Sequence, residues 1–267
     1  MKNGTKSFIS AFLLVTLTCS SAFAQTETSW FQKIKNFFTN SSRPETTAAV
    51  QPEQTPPPSA AAETAKPVFD FSEKTIGNRE APLKIHIFTS LTCPHCPVVH
   101  TQLMPYIQEK YVDKNEALII LEDFPLDTRA VTASLISRCL SGDQYFAFME
   151  SLFENQMKWA VAPNLQEALL PYAKLAGMNE DEMIACATDE SALRELTRQR
   201  NLAIMQFKIH ATPTLILQLG KEKEFLEGVP SRTDFDRAVE RLKKTYKGSW
   251  PAAAAQQEKP VAGPSAP

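Results

Sequence analysis

A Cys-x-x-Cys tetrapeptide, residues 93–96, stands where a strand pattern changes to a helix pattern. The preceding residues 83–90 form an apolar run rich in β-branched and aromatic side chains, which predicts a strand. Residues 94–112 carry apolar side chains at helical spacing. Two cysteines one turn apart at the start of a helix are close enough for a disulfide without large backbone strain.

Each residue of the tetrapeptide has a predicted chemical role. With Cys93 at the helix N-cap, the free N–H groups and the positive dipole end of the helix favour its thiolate, so Cys93 is the nucleophile and a good leaving group. Pro94 suits the first helical position, where its missing N–H costs nothing. His95 adds a positive charge or an N–H donor beside the sulfur. Cys96, further along the helix, is predicted to be the buried resolving thiol.

Three other interpretations of the cysteine pair are weaker. A haem attachment site requires a histidine directly after the second cysteine, where this chain has Pro97. A zinc site of Cys93, Cys96 and His100 would need a fourth ligand, and the sequence contains no second Cys-x-x-Cys. An inert structural disulfide is the third interpretation, although a four-residue loop at a helix start is an unusual place for one.

The order of the predicted elements indicates one α/β domain over residues 68–247. The elements predicted after the first helix are a strand at 117–124, a long helical stretch at 128–207, and two strands at 213–219 and 223–226. A last helix starts at Ser231, where Ser-x-x-Asp with Asp234 resembles a capping box. This order predicts an α/β sandwich with a helical insertion.

The segments outside that domain differ from it in composition. Residues 1–24 have a positive start, an apolar run and a small-x-small end, which predict a cleaved secretory signal, because the run is too short to span a membrane. Residues 25–67 combine a short amphipathic segment with a linker rich in Pro and Ala, and residues 248–267 predict a disordered Ala- and Pro-rich tail. Export would leave four of the five cysteines in the mature chain, and an even number there suggests disulfide chemistry.

The amphipathic segment, residues 29–38, carries an aromatic stripe at helical spacing. The stripe comprises Trp30, Phe31, Ile34, Phe37 and Phe38. A helix this short is not stable alone in water, so it needs a partner. A membrane surface, a second subunit and the domain itself are three partners that fit it, and the sequence does not choose among them.

Four motifs in the domain resemble those of the DsbA-type disulfide oxidoreductases. They are Thr75-Ile76-Gly77-Asn78, Ser90-Leu91-Thr92 with the tetrapeptide, Asp123-Phe124-Pro125-Leu126-Asp127 and Ala211-Thr212-Pro213-Thr214. The likeness is strongest to the alphaproteobacterial branch and spans about residues 68–247. It implies a thioredoxin-like α/β fold with a helical insertion domain, a periplasmic location, and no cofactor other than the redox-active disulfide Cys93–Cys96.

The resemblance also implies roles for residues outside the tetrapeptide. Pro213 would be the cis-proline that faces the active site, and the alternative is a trans proline that opens a strand. Thr212 would offer its backbone to a bound substrate chain by strand-like pairing. Cys139 and Cys186 would form a structural disulfide between helices of the insertion, with a second redox centre or two buried free thiols as alternatives.

Two features depart from the family pattern. Pro97 would lose a helical hydrogen bond and crowd the carbonyl of Cys93, so we expect a distorted first turn. The strand at 84–90 lacks the buried carboxylate with which many thioredoxin-fold proteins shuttle a proton from the resolving cysteine. Asp123, at the end of the next strand, would substitute for it, or would be an ordinary solvated or capping aspartate.

We therefore expect an oxidase that introduces disulfides into unfolded or reduced exported polypeptides, with a membrane-bound reoxidising partner implied by the family. One alternative is an oligomeric isomerase or reductase, which self-association through residues 29–38 would favour. Another is a non-enzymatic envelope protein that binds metal through the cysteine pair and His100. As single residues, His86, His100 and His210 are assigned no role. With 28 basic against 30 acidic residues and no basic block, we expect no nucleic-acid partner.

Overall fold

A five-stranded mixed sheet organises the computed structural model, which describes residues 66–251 of the chain. The strands are β1 (Lys74–Gly77), β2 (Leu83–Thr89), β3 (Ala117–Asp123), β4 (Thr214–Leu219) and β5 (Glu222–Glu227). Their order across the sheet is β1-β3-β2-β4-β5. The central pair, β2 and β3, runs parallel, and the other neighbours run antiparallel.

A long helix, α1 at residues 96–112, follows β2 and contains two π-helical stretches. Its successive segments are α-helical Cys96–Val98, π-helical Val99–Leu103, α-helical Met104–Ile107 and π-helical Gln108–Val112. Pro105 lies between the two π-helical stretches and has no N–H to donate to the preceding turn. The wider π turns on either side of it are a usual response to an interrupted helical ladder.

Six helices between β3 and β4 form the helical insertion, and one helix follows β5. The insertion comprises α2 (Thr128–Arg138), α3 (Asp143–Glu154), α4 (Gln156–Trp159), α5 (Leu165–Leu175), α6 (Glu180–Thr188) and α7 (Glu190–Phe207). The last helix is α8 (Arg232–Thr245), whose N-cap Ser231 accepts a hydrogen bond from the N–H of Asp234. Within residues 66–251, no helix combines the length and the apolar character needed to cross a membrane.

The two faces of the sheet are covered by different helices. Leu83, Ile85 and Ile87 of β2 are fully buried in one core cluster with side chains of α1, α3 and α8. On the opposite face, Phe88 packs against Phe207 of α7, with ring centroids 5.9 Å apart. Since α3 also contacts the first turns of α1, the insertion covers the end of the sheet where the tetrapeptide lies.

One feature joins two helices of the insertion, and a second ties the insertion to the sheet. A disulfide joins Cys139, at the end of α2, to Cys186 of α6, with their Cα atoms 6.2 Å apart. Beside it, the buried guanidinium of Arg138 donates from Nε to Asp123 Oδ2 over 2.6 Å. Arg138 also donates to the carbonyl oxygen of Ser72, so one side chain connects α2, the end of β3 and the segment before β1.

The backbone at Gly77 explains why the motif Thr75-Ile76-Gly77-Asn78 contains a glycine. Its φ of +113° is a backbone conformation that side chains disfavour, and an added Cβ would lie 2.6 Å from Cγ1 of Val112. Glycine therefore ends β1 where it crosses the end of α1. Strand β1 itself was not predicted from the sequence, because four residues give too short an alternation.

The other predicted elements are present, with bounds that differ from the predicted ones by a few residues. The predictions for residues 1–24, for residues 29–38 and for nearly all of the linker fall outside the described residues. The same holds for residues 252–267 of the predicted tail. These stay predictions.

Candidate active site

The tetrapeptide turn buries both of its cysteines as free thiols. Cys93 is 4% exposed and Cys96 is fully buried, whereas Pro94 and His95 between them are exposed. The N–H of Cys93 donates to the carbonyl oxygen of Ser90 over 3.1 Å, and the N–H of Cys96 donates to the carbonyl oxygen of Cys93 over 3.2 Å. These two bonds hold the turn that connects β2 to α1.

The predicted N-cap position of Cys93 is wrong, because the helix begins at Cys96 with His95 as its N-cap. Pro97 then lies in the first helical turn, where its missing N–H costs little. The carbonyl of Cys93, which already accepts from the N–H of Cys96, also accepts a hydrogen bond from Nε2 of Gln156 over 2.8 Å. The same Nε2 donates to Leu91 O, also over 2.8 Å.

The loop before β4 lies directly against the first cysteine. The Thr212–Pro213 peptide bond is cis, and the thiol of Cys93 donates a hydrogen bond to the carbonyl oxygen of Thr212 over 3.1 Å. The Thr212 hydroxyl oxygen is buried and has no hydrogen-bond partner among the described residues. The N–H of Gly228 donates to the carbonyl oxygen of Pro213, which fixes this loop to the end of β5.

The two thiols differ in their surroundings. Burial raises the pKa of Cys96 to about 12, although the Thr89 side chain and the backbone of Ser90 act in the opposite direction. A thiolate at Cys96 is therefore costly at neutral pH. Cys93 is buried too, but it keeps 4% exposure and is followed by the exposed Pro94 and His95.

His100 contacts the same region, although sequence reasoning gave it no role. Its Nε2 lies 3.1 Å from Oγ1 of Thr89, and its ring stacks on Phe153 with centroids 3.9 Å apart. Burial lowers the pKa of His100 to about 3, so the imidazole is neutral at physiological pH. The spacing of four residues from Cys96 was a signal available in the sequence, because it puts both side chains on one face of a helix.

Asp123, the carboxylate considered as a substitute for the one missing from β2, is held in a buried ion pair. It ends β3 in register with Thr89, but its carboxylate is bonded to the buried Arg138. Burial alone would lower the pKa of Arg138, yet Asp123 raises it overall above its ordinary value. The burial contradicts the solvated aspartate considered from the sequence, and the proton-shuttle role stays a prediction.

Three segments that are hydrogen-bonded to the site, one of them helix α4, carry exposed apolar side chains. Leu126 is 47% exposed, and its N–H donates to Ser90 Oγ. Met157 is 68% exposed and follows the buried Gln156. Val229 is 39% exposed and follows the loop that is bonded to the cis-proline segment. Each of these side chains therefore belongs to, or directly follows, a residue that is bonded to Ser90, to the cysteine turn or to the cis-proline loop.

No group of three or more His, Cys, Asp or Glu side chains within residues 66–251 is arranged to hold a metal ion. The metal-ligand set of Cys93, Cys96 and His100 considered from the sequence is not such a group. In the structure, the Nε2 atom of His100 is directed to Thr89 instead.

Comparison with known proteins identifies relatives over this domain. The thioredoxin family model matches residues 71–241. A Rickettsia bellii protein named as a protein-disulfide oxidoreductase is 25% identical over 66% of this chain and 68% of its own length. Disulfide bond formation protein D of Bacillus subtilis is 24% identical over 66% of this chain and 78% of its own length.

A solved structure is also similar to this chain over the same domain. The crystal structure of alpha-DsbA1 from Wolbachia pipientis is 28% identical, with a TM-score of 0.55 over 65% of this chain and 90% of its own. The expected thioredoxin-like fold with a helical insertion is thereby confirmed. The chain belongs to the thioredoxin family, as one of its DsbA-like protein-disulfide oxidoreductases.

Proposed function

We propose that this oxidoreductase introduces disulfide bonds into reduced polypeptides, with Cys93 as the attacking and leaving thiol and Cys96 as the resolving thiol. The observation that carries the assignment is the asymmetry of the pair: Cys93 keeps 4% exposure next to the exposed Pro94 and His95 and is bonded to the Thr212 carbonyl, whereas Cys96 is fully buried with a raised pKa. The more accessible sulfur is the one that a bulky polypeptide can reach.

The proposed reaction consists of two exchanges. A substrate thiolate attacks the Cys93 sulfur of the Cys93–Cys96 disulfide, and the electron pair of the broken bond goes to Cys96. A second thiolate of the substrate attacks its own sulfur in the mixed disulfide and expels Cys93. The substrate dithiol loses two electrons and two protons, and the enzyme pair gains them, so no cofactor is required.

The surroundings of the turn support a role for Thr212, Pro213 and three exposed apolar side chains in holding the substrate. The backbone of Thr212 lies beside the sulfur that forms the mixed disulfide. Leu126, Met157 and Val229 are exposed apolar side chains. The apolar residues of an unfolded chain can pack against them, whereas a folded protein keeps most of its apolar residues buried. His95 and Pro94, exposed between the cysteines, would contact the substrate directly.

The proposed location is the periplasm. The signal-like residues 1–24 support export. The disulfide between Cys139 and Cys186 also supports it, because such bonds persist in oxidising compartments. A membrane-bound partner would take the electrons from the reduced pair, and reduced exported polypeptides would supply them.

The test is the equilibrium of the Cys93–Cys96 pair with glutathione buffers, read by thiol alkylation and mass spectrometry on the exported protein. A potential near about −120 mV, together with oxidation of a reduced unfolded polypeptide, is expected for an oxidase. A potential near about −200 mV or below would instead assign the protein to reduction or isomerisation. Cys93→Ser should abolish exchange under either outcome.

A further inference from the structure

A threonine and a histidine lie next to the buried sulfur of Cys96. The Thr89 side chain interacts with that thiol and favours its thiolate. The same Thr89 Oγ1 lies 3.1 Å from Nε2 of His100. His100 is partly exposed as a residue, although burial dominates the environment of its ring. The three groups form a continuous series from the sulfur to this partly exposed residue.

Cys96 needs a route for its proton because its thiolate is formed in a buried place. When a substrate attacks Cys93, the sulfur of Cys96 receives an electron pair where burial opposes charge. Asp123, the carboxylate in register with Thr89, is already bonded to Arg138. While Asp123 holds Arg138, another group next to Cys96 is better placed to supply the proton.

We propose that Thr89 and His100 form the path by which Cys96 exchanges its proton with solvent. As the Cys93–Cys96 bond breaks, the Thr89 hydroxyl gives its proton to the Cys96 sulfur. Thr89 recovers a proton from Nε2 of His100, and Nδ1 of the same ring takes one from water. The ring begins as the Nε2–H tautomer and ends as the Nδ1–H tautomer, without a net charge.

Reoxidation runs the same transfers in reverse. A disulfide of the reoxidising partner forms a mixed disulfide with Cys93, and Cys96 attacks the Cys93 sulfur. Its proton passes through Thr89 to Nε2, while Nδ1 releases a proton to water and restores the first tautomer. One full cycle therefore leaves His100 as it began. This inference rests on the proposed exchange at Cys93 and Cys96.

The setting of His100 suits tautomer exchange better than acid–base titration. The groups that face it are Thr89 of β2 and the ring of Phe153 of α3, neither of which is charged. Burial is the cause of its lowered pKa, so the imidazolium is not populated at neutral pH. A neutral imidazole still has one N–H donor and one acceptor nitrogen, as a relay requires.

The test separates the two thiols by reacting the reduced protein with an aromatic disulfide, dithiobis-nitrobenzoate, in a stopped-flow instrument. The first coloured thiolate is released when Cys93 attacks the reagent, and the second when Cys96 resolves the mixed disulfide. At neutral pH, Thr89→Val and His100→Phe should slow the second release about tenfold or more and leave the first unchanged. Thr89→Ser, which keeps the hydroxyl, should restore the second release.

Two further readouts distinguish a relay from a structural role. The slowing of the second release in the variants should become smaller as the pH rises, because hydroxide then removes the Cys96 proton directly. His100→Phe should leave the glutathione equilibrium unchanged, because a relay changes the forward and reverse rates of proton transfer by the same factor. His86→Phe, at a histidine bonded to Glu122, is the matched control and should behave as the wild type.

A second release at the wild-type rate in His100→Phe across the pH range would overturn the proposal. If His100→Phe does not fold, the rate of the second release in Thr89→Val, compared with that in Thr89→Ser, tests the same path. Loss of the first release in the unmodified protein would instead count against the exchange function itself, so the two failures are distinguishable.

Discussion

Nε2 of Gln156 lies 2.8 Å from the carbonyl oxygen of Cys93, to which it donates a hydrogen bond. A side chain of the insertion thus holds the turn before α1 from outside that helix. Because the same Nε2 also bonds Leu91, the buried amide fixes the residues on both sides of Thr92. The position of Cys93 therefore depends on a helix distant from it in sequence.

Replacing Gln156 by Leu should lower the free energy of unfolding by about 1–3 kcal/mol, because the carbonyl oxygens of Leu91 and Cys93 lose the hydrogen bonds that they accept from its buried amide. Urea denaturation measures the change. Gln144→Leu, which removes an exposed hydrogen bond to the carbonyl of Ala176, is the matched control and should change the free energy by less than about 0.5 kcal/mol. Equal losses of unfolding free energy in the two variants would show that the buried hydrogen bonds of Gln156 contribute no more than an exposed one.

Much of this site was predictable because its parts are local in sequence. The change from strand to helix period located the tetrapeptide, and the capping pattern at Ser231 located the start of α8. Gln156 was not predictable, since nothing in a four-residue helix indicates that its amide reaches Cys93. The same applies to Asp123, whose chemistry is decided by Arg138 on another element.

The disulfide between Cys139 and Cys186 should stabilise the domain without taking part in exchange. It connects cysteines 47 residues apart, and closing a loop of that length in the unfolded chain is worth about 2–4 kcal/mol. The Cys139→Ala/Cys186→Ala double variant should lose this amount in urea denaturation. Its rate of reaction at Cys93 should remain that of the wild type, and a large fall in that rate would assign the bond a redox role.

Acid should destabilise the protein partly through His100. Its pKa is lowered from 6.5 in the unfolded chain to about 3 in the fold, so between these values the unfolded state binds a proton that the folded state does not. Stability is therefore greatest above about pH 6.5 and falls by up to about 1.4 kcal/mol per pH unit on acidification.

Urea denaturation at several pH values measures the acid effect, and comparison with His100→Phe isolates it from the titration of carboxylates. The variant should show a shallower loss of stability between about pH 6 and 4. Identical slopes in the two proteins would mean that His100 is protonated in the folded state.

The ion pair of Asp123 and Arg138 allows stability and proton transfer to be separated. Both side chains are at most 3% exposed and their atoms are 2.6 Å apart, so Asp123→Asn would leave a buried guanidinium without its counter-charge. Removing one partner of such a pair costs about 3–5 kcal/mol, which urea denaturation would detect. If Asp123 only holds α2 to β3, the folded variant should still resolve the Cys93 mixed disulfide at the wild-type rate. A slowed resolution with normal reaction at Cys93 would restore Asp123 as the proton acceptor and displace His100 from that role.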